Sequence, residues 1–306
     1  MSKQIIVGAG PVGTETAQLL AEAGHQVTVV TRRGTGPQLA GVERVAADAA
    51  DADRLTEIAT GAAALYNCAN PSHYGNWEQV WPPLWSSLLR TAEATGAVLV
   101  SASSLYGYGR VDRPMTEDLP DAATEKNGRI RAGMWAEAKS LHDQGRIRAV
   151  EVRASDYVGA NVGGNGHLTR NVPAALQGKG VWVMGDPDQP HSWTDVLDVA
   201  RALVAVAQRP EAYGRVWLAP TNPPRTHRQA MSDVLAAAGR PMVSMHGIPR
   251  LATWAGGLIN ADMRQFGVMS YVFTRPYVVD SSAIEETFGL APTPWPEVCR
   301  RSVGVS

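Results

Sequence analysis

The chain has 306 residues, 44% of them hydrophobic and 19% charged, with a formal net charge of −1. This is enough to bury one large core or two modest ones, and it excludes wholesale disorder. The near-neutral balance removes the electrostatic case for a nucleic-acid or anionic-membrane partner, and no run of about 18 apolar residues is present to span a membrane.

Gln4–Val7 is a short apolar run of the kind that forms a buried parallel strand. Gly8, Gly10 and Gly13 follow in G-x-G-x-x-G spacing, with Pro11 suited to a first helical turn. Val12, Ala17, Leu20 and Ala23 recur at helical spacing until Gly24, and Gln26–Val30 is a second strand. Strand, glycine turn, helix and strand in about thirty residues are the context in which this spacing binds a dinucleotide. The first glycine permits a tight turn, the second lets a pyrophosphate approach, and the third lets helix and strand pack closely. Gly8, Gly10, Pro11, Val12 and Gly13 are therefore cofactor-binding candidates, with the pyrophosphate expected at the unpaired amides of the helix start. The second strand ends in Thr31, Arg32 and Arg33 where an NAD site usually carries an acid. Guanidinium groups suit a 2′-phosphate, so Arg32 and Arg33 favour NADP(H) over NAD(H).

Strand and helix signals keep alternating: a strand before Asp48, a helix after it, a strand over "AALYNCANP", and a long helix over "WEQVWPPLWSSLLRTAEATG" with a bend expected at Pro82-Pro83. A fifth strand in "AVLVSASSLYGYG", a helix in "RIRAGMWAEAKSLHDQG" and a sixth strand in "RAVEVRASDYVG" complete the pattern. This predicts an α/β fold, a doubly wound parallel Rossmann sheet covered by helices, with ligands beyond the carboxyl ends of the strands. Those ends carry Gly8, Arg32, Asp48, Cys68–Asn70, Ser101–Tyr106 and Ala154–Tyr157. Residues 1–160 form the expected dinucleotide-binding domain, with 190–218 returning to it. Residues 161–189 and 219–306 form a smaller C-terminal, substrate-binding lobe. Within 190–218 a helix opens at Asp195 or Asp198, and in the lobe another carries a capping-box spacing from Ser282 to Glu285 and ends at Gly289.

Together, "VGAGPVG", "ADAAD" around Asp48, "VSASSLYGYG", "VRASDYVGA" and "PHSWTDVLDVARAL" resemble the extended or atypical short-chain dehydrogenases/reductases, the NAD-dependent epimerase/dehydratase-like group. The resemblance implies an oxidoreductase, epimerase or dehydratase working through nicotinamide. Its chemistry uses a Ser or Thr after the fifth strand, and a Tyr and a Lys four residues apart on the next helix. Asp48 would read the adenine amine. Cys68, Ala69, Asn70, Ser101, Ala154 and Asp156 would line the cofactor, and Lys139 would bind its ribose. The chain departs from the pattern at Ala102, in the usual hydroxyl position, and at Trp135, in the tyrosine position before Lys139. An indole N–H donates but does not titrate near neutral pH.

A different proton donor is then required. Ser103, Tyr106, Lys139 and Tyr157 are the catalytic candidates, with Tyr108, His73 and Tyr74 also near strand ends. Three readings stay open: an active reductase or epimerase on a carbonyl, hydroxyl or imine carbon of a small organic metabolite; a non-catalytic NADP(H)-binding sensor or scaffold; and a substrate that supplies its own proton path. A less polar substrate than a nucleotide-sugar is expected. Trp77, Trp81 and Trp85 share a helix face that could pack internally or form a homodimer, and Trp254, Met263, Phe266, Met269 and Tyr271 could line an apolar pocket. His191 is read as fixing a loop. No metal-ligand spacing occurs. Two cysteines and a strand within four residues of the first Met lead to the expectation of a cytoplasmic protein without a leader.

Overall fold

The computed structural model describes residues 1–71 and 73–304. Its central element is a sheet of seven strands: β1 (Lys3–Val7), β2 (Gln26–Thr31), β3 (Val42–Ala46), β4 (Ala62–Asn67), β5 (Val98–Ser104), β6 (Arg148–Ala154) and β7 (Val216–Leu218). They lie in the order β7-β6-β5-β4-β1-β2-β3, and every pairing is parallel. Strand β1 sits between β4 and β2, so successive strands are added on opposite sides of it. That reversal opens a crevice at the carboxyl ends of β1 and β4.

Side chains alternate across each strand, and both faces are buried. On one face Ile5, Val7, Leu65 and Leu99 pack against α2 (Ala52–Ala59), α3 (Trp77–Thr95) and α4 (Lys126–Asp143). On the other, Ile6, Val29, Val100 and Val152 meet α1 (Pro11–Glu22) and α5 (Val196–Ala207). Ile284 from the helix Ser282–Phe288 joins this second layer, so part of the C-terminal region packs on the sheet itself.

Helix α3 explains the tryptophan stripe. Trp77, Trp81 and Trp85 are 1%, 0% and 3% exposed and belong to the core, so this face is covered from within. Each indole removes roughly 200 Å² from water, on the order of 5 kcal/mol. The expected bend does not end the helix at Pro82-Pro83. Both prolines are exposed, as are Glu78 and Gln79, so the carbonyls that lose their donors face solvent. Asp195 caps α5, its carboxylate accepting from the Leu197 amide at 2.9 Å. Asp198 instead holds the Thr293 amide and hydroxyl, each at 2.7 Å.

A third apolar cluster, which includes Leu168, Val172, Met231, Met245, Trp295 and Val298, lies beyond the sheet in the smaller lobe. The expected capping box does not form: Ser281, not Ser282, is the N-cap, and its hydroxyl donates to the Glu285 side chain at 2.6 Å and caps no backbone amide of the helix, while Gly289 ends the helix at φ +65° as expected. Met269 and Tyr271 are buried in the main core, whereas Trp254 is 64% exposed and lines no apolar pocket. The side chain of Phe266 lies outside the described residues. No helix among the described residues is long and apolar enough to cross a membrane.

Candidate active site

The glycine turn carries the clearest geometry. A Cβ at Gly8, whose φ is +101°, would stand 2.8 Å from the Ala69 nitrogen and the Cys68 carbonyl, so the end of β1 lies flush against the end of β4. A Cβ at Gly13 would stand 2.1 Å from the Gly8 carbonyl oxygen, which is what presses α1 onto β1. A Cβ at Gly10, the N-cap of α1, would meet nothing within 4 Å. Two glycines are therefore demanded by the protein's own packing, and the middle one faces open space at a helix N-terminus. Pro11 opens α1, and no acidic residue lies in its first turn. The amides there are available to an anion and the helix dipole favours one. These residues fit the pyrophosphate of a dinucleotide.

Arg32 and Arg33 are exposed just past β2, and no hydrogen bond or ion pair among the described residues holds either. Asp48 is exposed at the end of β3 and accepts from the Ala50 amide at 3.0 Å; the cap of α2 is Asp51. Cys68 is half-buried, and burial pushes its thiol up to about 12, so it is no nucleophile.

At the end of β5, Ser101 and Ser103 are buried, and among the described residues nothing bonds their hydroxyls, nor that of Ser104. Ala102 lies in the opposite apolar layer, with α1 and α5. Tyr106, in the turn Leu105–Tyr108, has its hydroxyl 3.3 Å from that of Tyr74. Burial raises both phenols above their ordinary range, Tyr106 furthest. Burial raises Tyr157 too, and the charge of Arg131 is the foremost influence opposing it. Two other candidates point elsewhere. Tyr108 stacks on the Arg153 guanidinium, and His73 is exposed and paired with Asp262 at 3.1 Å.

Lys139 requires a correction. Its Nζ bonds the Asp143 carboxylate one turn on, at 2.6 and 2.7 Å, with the ammonium partly exposed. Helix α4 starts at the carboxyl side of the sheet and runs back toward the amino side. Lys139 is eight residues past Arg131, roughly 12 Å down the axis, so it does not reach the strand ends. Trp135, one turn before it, lines a cavity of about 540 Å³ beside β7, with Glu117, Asp121, Arg153 and Arg215. The side chain that α4 does send inward is Arg131, 6% exposed, which sequence reasoning missed. Its Nη2 donates to Asn70 Oδ1 at 3.0 Å, and its guanidinium lies 4.3 Å from the Trp81 ring centre and 5.0 Å from that of Trp77. The signal was there: Asn127, Arg131, Met134 and Ala138 mark the buried face at helical spacing. Gly128 sets the approach. A Cβ there would stand 2.5 Å from the Tyr106 carbonyl oxygen, so α4 lies directly on the β5 turn.

Asp156 opens the short strand Asp156–Val158, which pairs with Trp193–Asp195. Its carboxylate is 2.7 Å from His191 Nε2 and 3.8 Å from His167 Nε2. Burial works to raise Asp156, but His167 and then His191 outweigh it and hold the acid near 2. Burial lowers His167 to about 4. His191 also stacks on Phe273 and Tyr277, which ties Asp156 to the smaller lobe. No group of three or more His, Cys, Asp or Glu side chains able to hold a metal occurs among the described residues.

The profile of the NAD-dependent epimerase/dehydratase family matches residues 5–218. No curated protein matches the chain by sequence. Among solved structures, the dTDP-glucose 4,6-dehydratase of Bacillus anthracis, in complex with NAD, is 14% identical and superposes with a TM-score of 0.81, over 100% of this chain and 96% of that one. The UDP-glucuronic acid 4-epimerase of Bacillus cereus, in complex with UDP-glucuronic acid and NAD, is 16% identical with a TM-score of 0.79, over 99% and 98%. The UDP-N-acetylglucosamine 4-epimerase of Methanobrevibacter ruminantium, in complex with UDP-N-acetylmuramic acid, is 16% identical with a TM-score of 0.81, over 99% and 97%. At these identities the likeness is one of fold.

Proposed function

Since the chain belongs to the NAD-dependent epimerase/dehydratase family, we propose that it binds NADP(H) across the carboxyl edge of its sheet and acts on a carbonyl, hydroxyl or imine carbon of a small organic metabolite. Residues 1–160 and 190–218 would form the cofactor-binding part. Residues 161–189 and most of 219–306 would form the lobe that meets substrate. The observation that carries the reading is the open Cβ direction at Gly10 between two glycines that packing forbids to change. Gly8, Gly10, Val12 and Gly13 would hold the pyrophosphate, Asp48 the adenine, and Arg32 and Arg33 the 2′-phosphate. Cys68, Ala69, Asn70, Ser101, Ala154 and Asp156 would line the nicotinamide half.

The bound nicotinamide would supply a hydride acceptor or donor. The chain's own part is to orient the substrate oxygen and move a proton at it. Ser103 Oγ, buried and without a partner among the described residues, would donate to that oxygen. Tyr157, on which the Arg131 charge acts, is the proposed proton carrier in place of the absent family tyrosine, with the hydrogen-bonded pair Tyr106 and Tyr74 as the second candidates. The solved relatives bind nucleotide-sugars, as their names state. A less polar substrate than a nucleotide-sugar is proposed for this chain; the acid at the strand ends, Asp156, is already paired with His191 and supplies no cation for a diphosphate.

The test is calorimetry with NADPH and NADH, followed by absorbance at 340 nm against a panel of ketones, aldehydes and imines. Tight binding with turnover upholds the reading. Tight binding without turnover of any carbonyl or imine class would favour a non-catalytic sensor, which the displaced Lys139 and Trp135 make the natural second reading.

A further inference from the structure

We infer that Arg131 supplies the positive charge at the nicotinamide half of the site, the charge expected of Lys139, and that it tilts the site toward the reduced cofactor. The inference rests on the cofactor reading above and adds to it a residue and a direction. Arg131 is bound to the cradle wall itself. Its Nη2 donates to Asn70 at 3.0 Å, and Asn70 directly follows Ala69, the residue whose amide lies against Gly8. Two indoles on one side fix the guanidinium's place, 4.3 and 5.0 Å from their centres.

The charge has no carboxylate bonded to it. Glu151, the acid whose field acts on it most, is already taken by Arg153 Nε at 2.7 Å. Arg131 Nε is buried with no partner among protein atoms. Burial lowers the affinity of this guanidinium for its proton, yet an arginine stays charged in protein. A cation removed from water and left without a bonded anion is costly. Its field acts on Tyr157 and Tyr74, where it opposes the effect of burial. The other fixed charge at these strand ends, Asp156, faces His191 and His167, whose ring nitrogens lie 2.7 and 3.8 Å from it.

An oxidised nicotinamide ring carries a positive charge and the reduced ring carries none. A buried guanidinium beside that ring therefore disfavours the oxidised form, by roughly tenfold or more in affinity at the effective dielectric of a protein site. The same field would stabilise a developing alkoxide, as a reductase requires.

Calorimetry of NADPH and NADP⁺ on the full chain tests this with R131Q, R131K and K139Q, alongside thermal melting of each protein. The wild type is expected to bind NADPH at least tenfold tighter than NADP⁺. R131Q is expected to lose most of that ratio, mainly by tightening NADP⁺, whose charged ring no longer meets a buried cation. R131K should keep it and K139Q should leave it unchanged. If both nucleotides bind and R131Q retains the wild-type ratio, the assignment of Arg131 is overturned while the cofactor reading stands. If the wild type takes up neither nucleotide, the cofactor reading fails and carries this one with it. Should R131Q not fold, R131K decides: a retained ratio upholds the role of charge, and a lost ratio overturns it.

Discussion

Replacing Gly10 and Gly13 by alanine separates what packing needs from what a ligand needs. At Gly10 the φ of −73° suits any residue, and a Cβ meets nothing within 4 Å. The chain loses some unfolded-state entropy, worth about 0.4–1 kcal/mol, and trades a glycine N-cap for a poorer one at a few tenths to about 1 kcal/mol. The two nearly cancel, so G10A should melt within about 2 °C of the wild type. At Gly13 the added Cβ stands 2.1 Å from the Gly8 oxygen, so α1 must move by about 1 Å from β1. Overpacking of that kind costs about 1–3 kcal/mol, partly offset by about 1 kcal/mol of helix propensity. G13A should therefore lower the melting temperature while G10A does not. Nucleotide affinity should fall in both, by tenfold or more in G10A, where the only change is a methyl in the direction reserved for pyrophosphate. Differential scanning fluorimetry and calorimetry read the two effects separately. A G10A protein that binds NADPH like the wild type would refute the placement of the pyrophosphate.

Replacing both Arg32 and Arg33 by alanine should weaken NADPH about tenfold in calorimetry and leave NADH unchanged, since only the 2′-phosphate distinguishes them. Once a substrate is found, Y157F should reduce kcat by about 100-fold or more with nucleotide affinity intact, and Y106F less; equal activity in Y157F removes it as the proton carrier. Burial raises Asp195 to about 6. The folded state therefore holds a proton that the unfolded state releases at about 4, and this group's contribution to stability falls as pH rises from about 4 to 6. D195N keeps a good cap and should flatten that part of the stability profile measured by urea unfolding; an unchanged slope would show that Asp195 does not titrate there.

Much of the fold was legible because its signals are local. Gly8, Gly10 and Gly13 sit at fixed spacing between two apolar runs, and alternating strand and helix patterns leave a parallel sheet as the economical solution. The site was less legible because helix α4 has two polar faces that sequence alone ranks equally. Lys139 lies on the helix that follows the fifth strand, but a lysine four residues before Asp143 has a partner on its own surface. Arg131 reads as one more surface charge until Trp77 and Trp81, fifty residues earlier, are seen to receive it. The Ser282–Glu285 capping box failed for a similar reason: Ser281 and Ser282 are equivalent in sequence, and Ser281, whose hydroxyl accepts from the Thr221 amide, takes the N-cap position and leaves Ser282 as the first helical residue.

Trp135 stands on a face of α4 that meets the cavity beside β7, away from the buried face that carries Arg131. Installing a phenol there would put its hydroxyl in the groove beside β7, among Asp121 and Arg153, and leave the carboxyl edge of the sheet as it was. Reversion at that residue is therefore a poor route to a conventional dehydrogenase. The residue four before the buried Arg131 is Asn127, which α4 buries as well, and Gly128 beside it is pressed onto the Tyr106 carbonyl, so a phenol at 127, and not at 135, would stand against the β5 turn.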